Sequence, residues 1–373
     1  MKNDKVQKMD RRTFLKAASL TAAATFITPP AVSAQSEAKE VKKDSGEKID
    51  MFCHILPQKY KAALLRKANP SHSRYNAMNE AKPTLWDMDM RFRHMDAYEG
   101  LRQMLTLGMP PLEYGLSPKE SVELARIAND EMAELVNKYP DRFVGAAASL
   151  PLNDPDASMF EIDRAIKELK LRGIQVFNSV NGKPLDRGEY MGIFEKMAQY
   201  DLPIFLHPAR DLNVPEYPGE EFSKYDLAIL LGWPYDTSVA LARLALSGVM
   251  EKYPTTKIVT HHCGAMVPFL GGRLPKSSDQ PYQFTKLTKP PLEYCRSFYG
   301  DTALSGNAAG LMCGYAFFGA DHMAFATDYP MAGGSTPEVA VGGVIKSVEQ
   351  MSITEEEKGR IFSKNARRLL KLS

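Results

Sequence analysis

The chain has 373 residues, with 47 Lys and Arg against 45 Asp and Glu, for a formal net charge of +2. A balance this even gives no electrostatic drive toward nucleic acid or an anionic membrane. The four cysteines, Cys53, Cys263, Cys295 and Cys313, lack C-x-x-C spacing and are too few and too scattered for a disulfide framework. Two of them adjoin histidines, as Cys53-His54 and His262-Cys263.

At the N-terminus, "DRRTFLK" sets Arg11 and Arg12 ahead of a weakly apolar, Ala/Thr-rich run, Ala17 to Thr28, and then Val32-Ser33-Ala34. This succession resembles a twin-arginine export signal cleaved after Ala34, because the apolar run falls well short of the roughly 20 residues a membrane-spanning helix needs. The expectation is a periplasmic protein with no membrane association after signal removal. Residues 1–34 hold six of the basic and two of the acidic residues, so the remaining 339 residues carry 41 against 43 and are near neutral at −2. Residues 35–48, "QSEAKEVKKDSGEK", are charged and aperiodic and read as a flexible linker.

From residue 49 to 373 no low-complexity break occurs, which suits one domain. Short apolar runs that read as strands recur at 49–54, 103–107, 142–149, 173–177, 203–207, 257–260, 297–302 and 323–327. Helical spacing fills most of the intervals. Ser117-Pro118-Lys119-Glu120 is a capping box with proline at the first helical position, followed by Leu124, Ile127, Met132 and Leu135. A second helix starts near Pro155, with Met159, Ile162, Ile166 and Leu169 on one face. Eight strands alternating with helices, without a Gly-rich phosphate turn, predict a (β/α)8 TIM barrel over a doubly wound sheet.

A barrel keeps its active site where the strands end. His54, His207, His262 and Asp328 fall at the ends of the first, fifth, sixth and eighth predicted strands, whereas His72, His94 and His322 do not. Imidazoles and a carboxylate converging there suit a divalent metal with open positions for water or substrate. Each residue also has a structural reading. His54 and His207 could be bonded core histidines, and Asp328 could cap the turn before Tyr329-Pro330.

The segments "IDMFCHILP", "WDMDMRFRHMDAYEG", "ARIANDEMAELVNKYPDRFVGAAASLPLNDPDAS", "LPIFLHP", "THHCGAMVPFLGGR" and "FATDYP" span nearly the whole chain after residue 48. In order and spacing they resemble the amidohydrolase-related family of metal-dependent barrel hydrolases, whose members include aminocarboxymuconate semialdehyde decarboxylase and the salicylate- and resorcylate-type decarboxylases. The resemblance implies that His54, His207 and Asp328 are metal ligands. His262, six residues before Pro268, falls on the family's catalytic histidine, with Asp328 sharing in catalysis. His261 competes for that role, and the proline spacing favours His262. His54 is the second histidine of the family's His-x-His pair, and Phe52 stands in place of the first. Side chains two apart on a strand face the same way, so Phe52 should point into the site and Cys53 toward the helices.

Arg273, in "LGGRL", falls on an arginine that in the decarboxylase reaches a substrate carboxylate across a dimer interface. A surface ion pair is the other reading. Phe52, Arg273 and Trp233, which closes the long excursion 208–233 after the fifth strand, are the expected substrate contacts. Asp87 with Arg91, and Asp89 with Arg93, also read as ordinary i, i+4 pairs on a helix.

The implied activity is decarboxylation of a small aromatic or unsaturated carboxylic acid by a homodimer of such barrels, with one divalent metal (zinc, or else manganese or magnesium) and His262 as acid or base. The same residues could instead serve a hydrolase or hydratase acting on a lactone, amide or enol acid. The loss of a ligand to Phe52 also admits a metal-free binding protein on the same barrel.

Overall fold

A computed structural model describes residues 46–373 except 68, 276–284, 332–335 and 337–340. The export signal lies outside the described residues, as does the linker up to residue 45. From Glu47 onward the chain already belongs to the fold, because Arg367 Nε holds the Glu47 carboxylate at 2.8 Å and the first strand starts at Lys48.

The strands are β1 Lys48–Ile55, β2 Leu101–Leu107, β3 Phe143–Ala146, β4 Ala148–Ser149, β5 Ile174–Phe177, β6 Ser179–Val180, β7 Lys183–Pro184, β8 Pro203–His207, β9 Lys257–Thr260, β10 Tyr299–Asp301 and β11 Met323–Ala324. β3 and β4 are one path bent at Ala147: β3 pairs with β2, and β4 with β5. The order β1-β2-β3 then continues through β4-β5-β8-β9-β10-β11, all parallel. Met51 N–H donates to Phe325 O at 2.8 Å and Cys53 bridges Tyr329, which closes the ring back onto β1. The predicted eight-stranded barrel is therefore present, with the short β6–β7 hairpin outside it.

Alternation along the strands divides the core into two layers. Ile49, Phe52, Met104, Phe205 and Val259 pack inside the barrel with Leu369 and Leu370 of the last helix. Cys53, Ile55, Leu105, Leu206 and Ile258 face the surrounding helices. β1 carries a bulge between Asp50 and Cys53, where Met51 and Phe52 oppose Met104 alone of β2. Such bulges re-aim side chains beside active sites. Here Phe52 and His54 both face inward and Cys53 faces out, as expected from the sequence.

The capping box at Ser117 forms, with Glu120 closing back on the Ser117 N–H at 3.0 Å, and it starts the helix Pro118–Lys138. The helix Pro155–Lys167 begins with Asp154 accepting from the Ala157 N–H. Asp87 caps the helix Met88–Asp96 through the Met90 N–H rather than pairing with Arg91, which corrects the surface-pair reading of that segment. Arg91 is fully buried and acts as a strut: its guanidinium donates to Gln103 Oε1 at 2.8 Å, His54 O at 2.8 Å and Thr84 O at 3.3 Å. Among the described residues no helix is long and apolar enough to cross a membrane.

Candidate metal centre and active site

His54 ends β1, His207 ends β8, and His261 and His262 follow β9, while Asp328 lies just beyond β11. The chain turns sharply after β9, where His262, Cys263 and Ala265 all have φ near +55° (54°, 55° and 55°), and Asp328 has φ +60°. Side chains other than glycine rarely occupy this region, and its use at strand ends that bear polar groups is a mark of a built site. Gly264, between Cys263 and Ala265, has φ +74° and presses against Phe318, where a Cβ would come within 2.9 Å of the ring.

The rings converge. His54 Nε2 lies 3.2 Å from His207 Nε2 and 3.1 Å from Asp328 Oδ1. The far side of each ring is fixed: His207 Nδ1 donates to Pro208 O at 2.6 Å, and His54 Nδ1 meets Thr106 Oγ1 at 3.2 Å. His207 therefore presents an Nε2 lone pair, and burial together with the neighbouring His54 and His261 drives its pKa well below the ordinary value, so the ring is neutral. Nitrogen atoms facing one another around a carboxylate suit a shared cation.

His261 is fully buried and belongs to this cluster. Its Nδ1 lies 2.5 Å from Asp301 Oδ2, and its Nε2 is 3.3 Å from Asp328 Oδ1 but off the line of a hydrogen bond. A histidine that donates one nitrogen to a carboxylate and turns the other into a cluster has the usual arrangement of a metal ligand. Burial by itself would lower its pKa, but Asp301 and Asp328 outweigh that and push it up to about 10. Likewise burial would raise the Asp328 carboxyl, yet His261 and His54 hold it well below the carboxylate range. Two carboxylates thus hold a proton on His261 in a place where a divalent cation could supply the charge instead.

His262 is the more open histidine, close enough to His261 and Asp328 to form a second trio that could hold a metal. Its Nε2 is 4.0 Å from Asp328 Oδ2, 20% of its side chain stays open to the cavity, and its Nδ1 has no partner among the described residues. Burial, then the neighbouring His261, lowers it to about 4, which makes it a neutral proton acceptor.

The support is tertiary. Asp50 accepts from the Thr327 N–H at 2.9 Å and binds the Thr327 hydroxyl, tying β1 to the segment that presents Asp328. Burial pushes the Asp50 carboxyl up to about 6. Asp301 also accepts from the Cys263 N–H at 2.9 Å and the Ala303 N–H at 3.0 Å, holding the loop that displays both histidines.

These groups open into a cavity of about 440 Å³ whose walls include Met78, Met109, Ile229, Trp233 and Lys82. Trp233 packs edge-on to His207 at 5.8 Å, and its indole Nε1 has no partner among the described residues. Phe52 is fully buried beneath the cavity, stacked on His261 at 4.1 Å, and is not a lining residue, so the expectation that it touches substrate is corrected. Arg273 is exposed and is likewise absent from the lining. Of the other histidines, His72 bonds Tyr114 O, His94 bonds the Tyr329 hydroxyl, and His322 stacks on Tyr299.

Comparison with known proteins agrees with this geometry. The profile of the amidohydrolase family matches residues 49–372. The chain belongs to the amidohydrolase family. Among its relatives, this amidohydrolase is 29% identical over 327 residues to a 2-amino-3-carboxymuconate-6-semialdehyde decarboxylase of Dictyostelium discoideum, covering 83% of this chain and 88% of that one. It is 31% identical over 318 residues to a gamma-resorcylate decarboxylase of a Polaromonas species, covering 79% and 90%. A crystal structure of a dihydroxybenzoic acid decarboxylase from Polaromonas, with bound manganese and the inhibitor 2-nitroresorcinol, superposes with a TM-score of 0.69 at 27% identity, covering 88% and 97%.

Sequence reasoning missed His261 as a member of the cluster, together with Asp50, Asp301 and Lys82. Adjacent His261 and His262 gave a signal, but the direction each ring takes is set by the left-handed turn after β9. Asp301 lay one residue before the end of the predicted strand 297–302, and its place near a strand end was the signal that could have found it.

Proposed function

We propose that this amidohydrolase decarboxylates a small aromatic carboxylic acid, with a divalent metal, zinc or manganese, held by His54, His207 and Asp328. The observation that supports it most is a single cavity in which these three side chains and His262 meet otherwise mostly apolar walls and one ammonium group, Lys82. We assign the coordination position left open by Phe52 to His261, whose Nε2 lies toward the same carboxylate and whose Nδ1 is anchored on Asp301. When bound there, the metal would supply Lewis acidity toward substrate oxygens.

The protein's own groups do the rest. Trp233 and the methionine side chains exclude water from the ring of an aromatic acid, where unpaired charge is costly. The Lys82 side chain, on the wall of the cavity, offers a counter-charge to an anionic substituent. Neutral His262 takes a proton from a substrate hydroxyl or solvent and returns it to the carbon from which CO2 departs. The exported location follows from Arg11-Arg12 and the cleavage site after Ala34, and exposed Arg273 suits a contact made across a homodimer to the substrate carboxylate.

The test is to incubate the purified protein with 2,6-dihydroxybenzoate and measure CO2 release, with metal content determined on the same sample. Release of CO2 that chelation abolishes and Zn²⁺ or Mn²⁺ restores supports the reading. Cleavage of lactones or amides without CO2 release would replace it with hydrolysis, and a metal-free protein that turns over nothing would replace it with a binding role.

A further inference from the structure

A second cavity, also about 440 Å³, opens on the rim of the barrel and shares no lining residue with the first. It lies between the loop after β2, the β6–β7 hairpin and the excursion after β8, which contribute Glu113, Asn181 and Arg210 in turn. Glu113 is 2% exposed, and neither of its carboxylate oxygens has a hydrogen-bond partner among the described residues. Buried carboxylates are ordinarily paired, and one left unpaired lowers stability. A group kept at that cost on the wall of a cavity is a candidate for binding a ligand.

The rest of the lining says what would pair with it. Three carboxylates, Glu113, Asp211 and Asp236, face one guanidinium, Arg210. Arg210 is turned toward Asp236, whose two oxygens its Nη1 meets at 3.2 and 3.3 Å, and none of its nitrogens bonds either oxygen of Glu113. Asp211 accepts from the backbone and side-chain nitrogens of Asn213 at 2.9 and 3.0 Å. Burial with no nearby cation pushes the Glu113 carboxyl up to about 8, as expected of a site lacking its counter-charge. Tyr75 and Tyr114 add aromatic surface, which attracts organic cations, and the space far exceeds a bare metal ion.

We infer that this cavity is a binding site for a small planar organic cation, a guanidinium or amidinium, whose paired N–H groups engage both oxygens of Glu113. Two parallel N–H donors match two free oxygens, a geometry an ammonium cannot reproduce. The site is separate from the metal cavity and does not depend on the reaction performed there.

Calorimetric titration of the full chain with methylguanidinium and with agmatine tests this, with N-methylurea as an uncharged analogue of similar shape. Both cations should bind and N-methylurea should not. The isosteric Glu113→Gln variant should weaken binding by about thirtyfold or more, as expected when one member of a buried charged pair is removed. Glu113→Leu should do the same, and far-UV circular dichroism establishes that each variant is folded. A crystal soaked in methylguanidinium should show the ion against Glu113. Absence of binding at millimolar cation, equal binding by Glu113→Gln, or equal binding of N-methylurea would overturn the assignment.

Discussion

Replacing Phe52 with histidine restores the side chain that the His-x-His pattern lacks, and its consequences follow from where Phe52 lies. The ring is completely buried, stacked on His261 at 4.1 Å and 5.7 Å from the ring centres of both His54 and His207. Exchanging it for imidazole forfeits about 2 kcal/mol of apolar burial. It also places ring nitrogens against Phe205, 5.6 Å away, so at least one polar atom lacks a partner at a further cost of about 1–3 kcal/mol. Without metal, Phe52→His should therefore be about 3–5 kcal/mol less stable than the parent. With metal the new nitrogen can join the cluster, and each tenfold gain in metal affinity returns about 1.4 kcal/mol under saturating conditions. Urea unfolding of both proteins, in chelator and in excess Mn²⁺, measures the two quantities separately. The reasoning is refuted if the variant matches the parent in chelator, or if Mn²⁺ stabilises both by the same amount.

Other changes separate the roles of neighbouring groups. His262→Asn should lower turnover by about 10²–10⁴-fold while bound metal is retained, measured by CO2 release and metal analysis together. Lys82→Met should raise KM for a substrate with a second anionic group by about 10–100-fold and leave kcat nearly unchanged, with Lys82→Arg recovering most of it. Arg91→Met strips donors from His54 O, Thr84 O and Gln103 Oε1 and should cost about 3 kcal/mol or more in urea unfolding, with Arg91→Lys a poor rescue because an ammonium lacks the fork. Glu113 ordinarily titrates near 4.5 and in the fold at about 8, so the folded protein holds the extra proton between these values and loses stability as pH rises through that window. The loss is complete above pH 8 and on the order of 5 kcal/mol. Glu113→Gln should match the parent near pH 4 and exceed it at pH 9 in denaturant unfolding without added cation.

The barrel was legible in the sequence because its determinants are local. Apolar runs of strand length, the capping box at Ser117 and the helical spacing after Pro155 each depend on neighbours along the chain, and all appear where expected. His54, His207 and Asp328 were legible for a related reason, since a residue at the end of a barrel strand has its position fixed by the strand. The direction of Phe52 followed from the two-residue repeat, even across a bulge that the sequence did not announce.

Other features were decided by contacts between distant segments. Whether His261 or His262 joins the cluster depends on the left-handed turn after β9 and on Asp301, 40 residues away. Arg91 read as a surface helix residue until β1 and β2 supplied acceptors for it. Glu113 looked like any loop glutamate, because burial without a partner is a property of everything packed around it. Strand and helix periodicity shows which side of an element a residue occupies, but only the folded chain fixes what waits there.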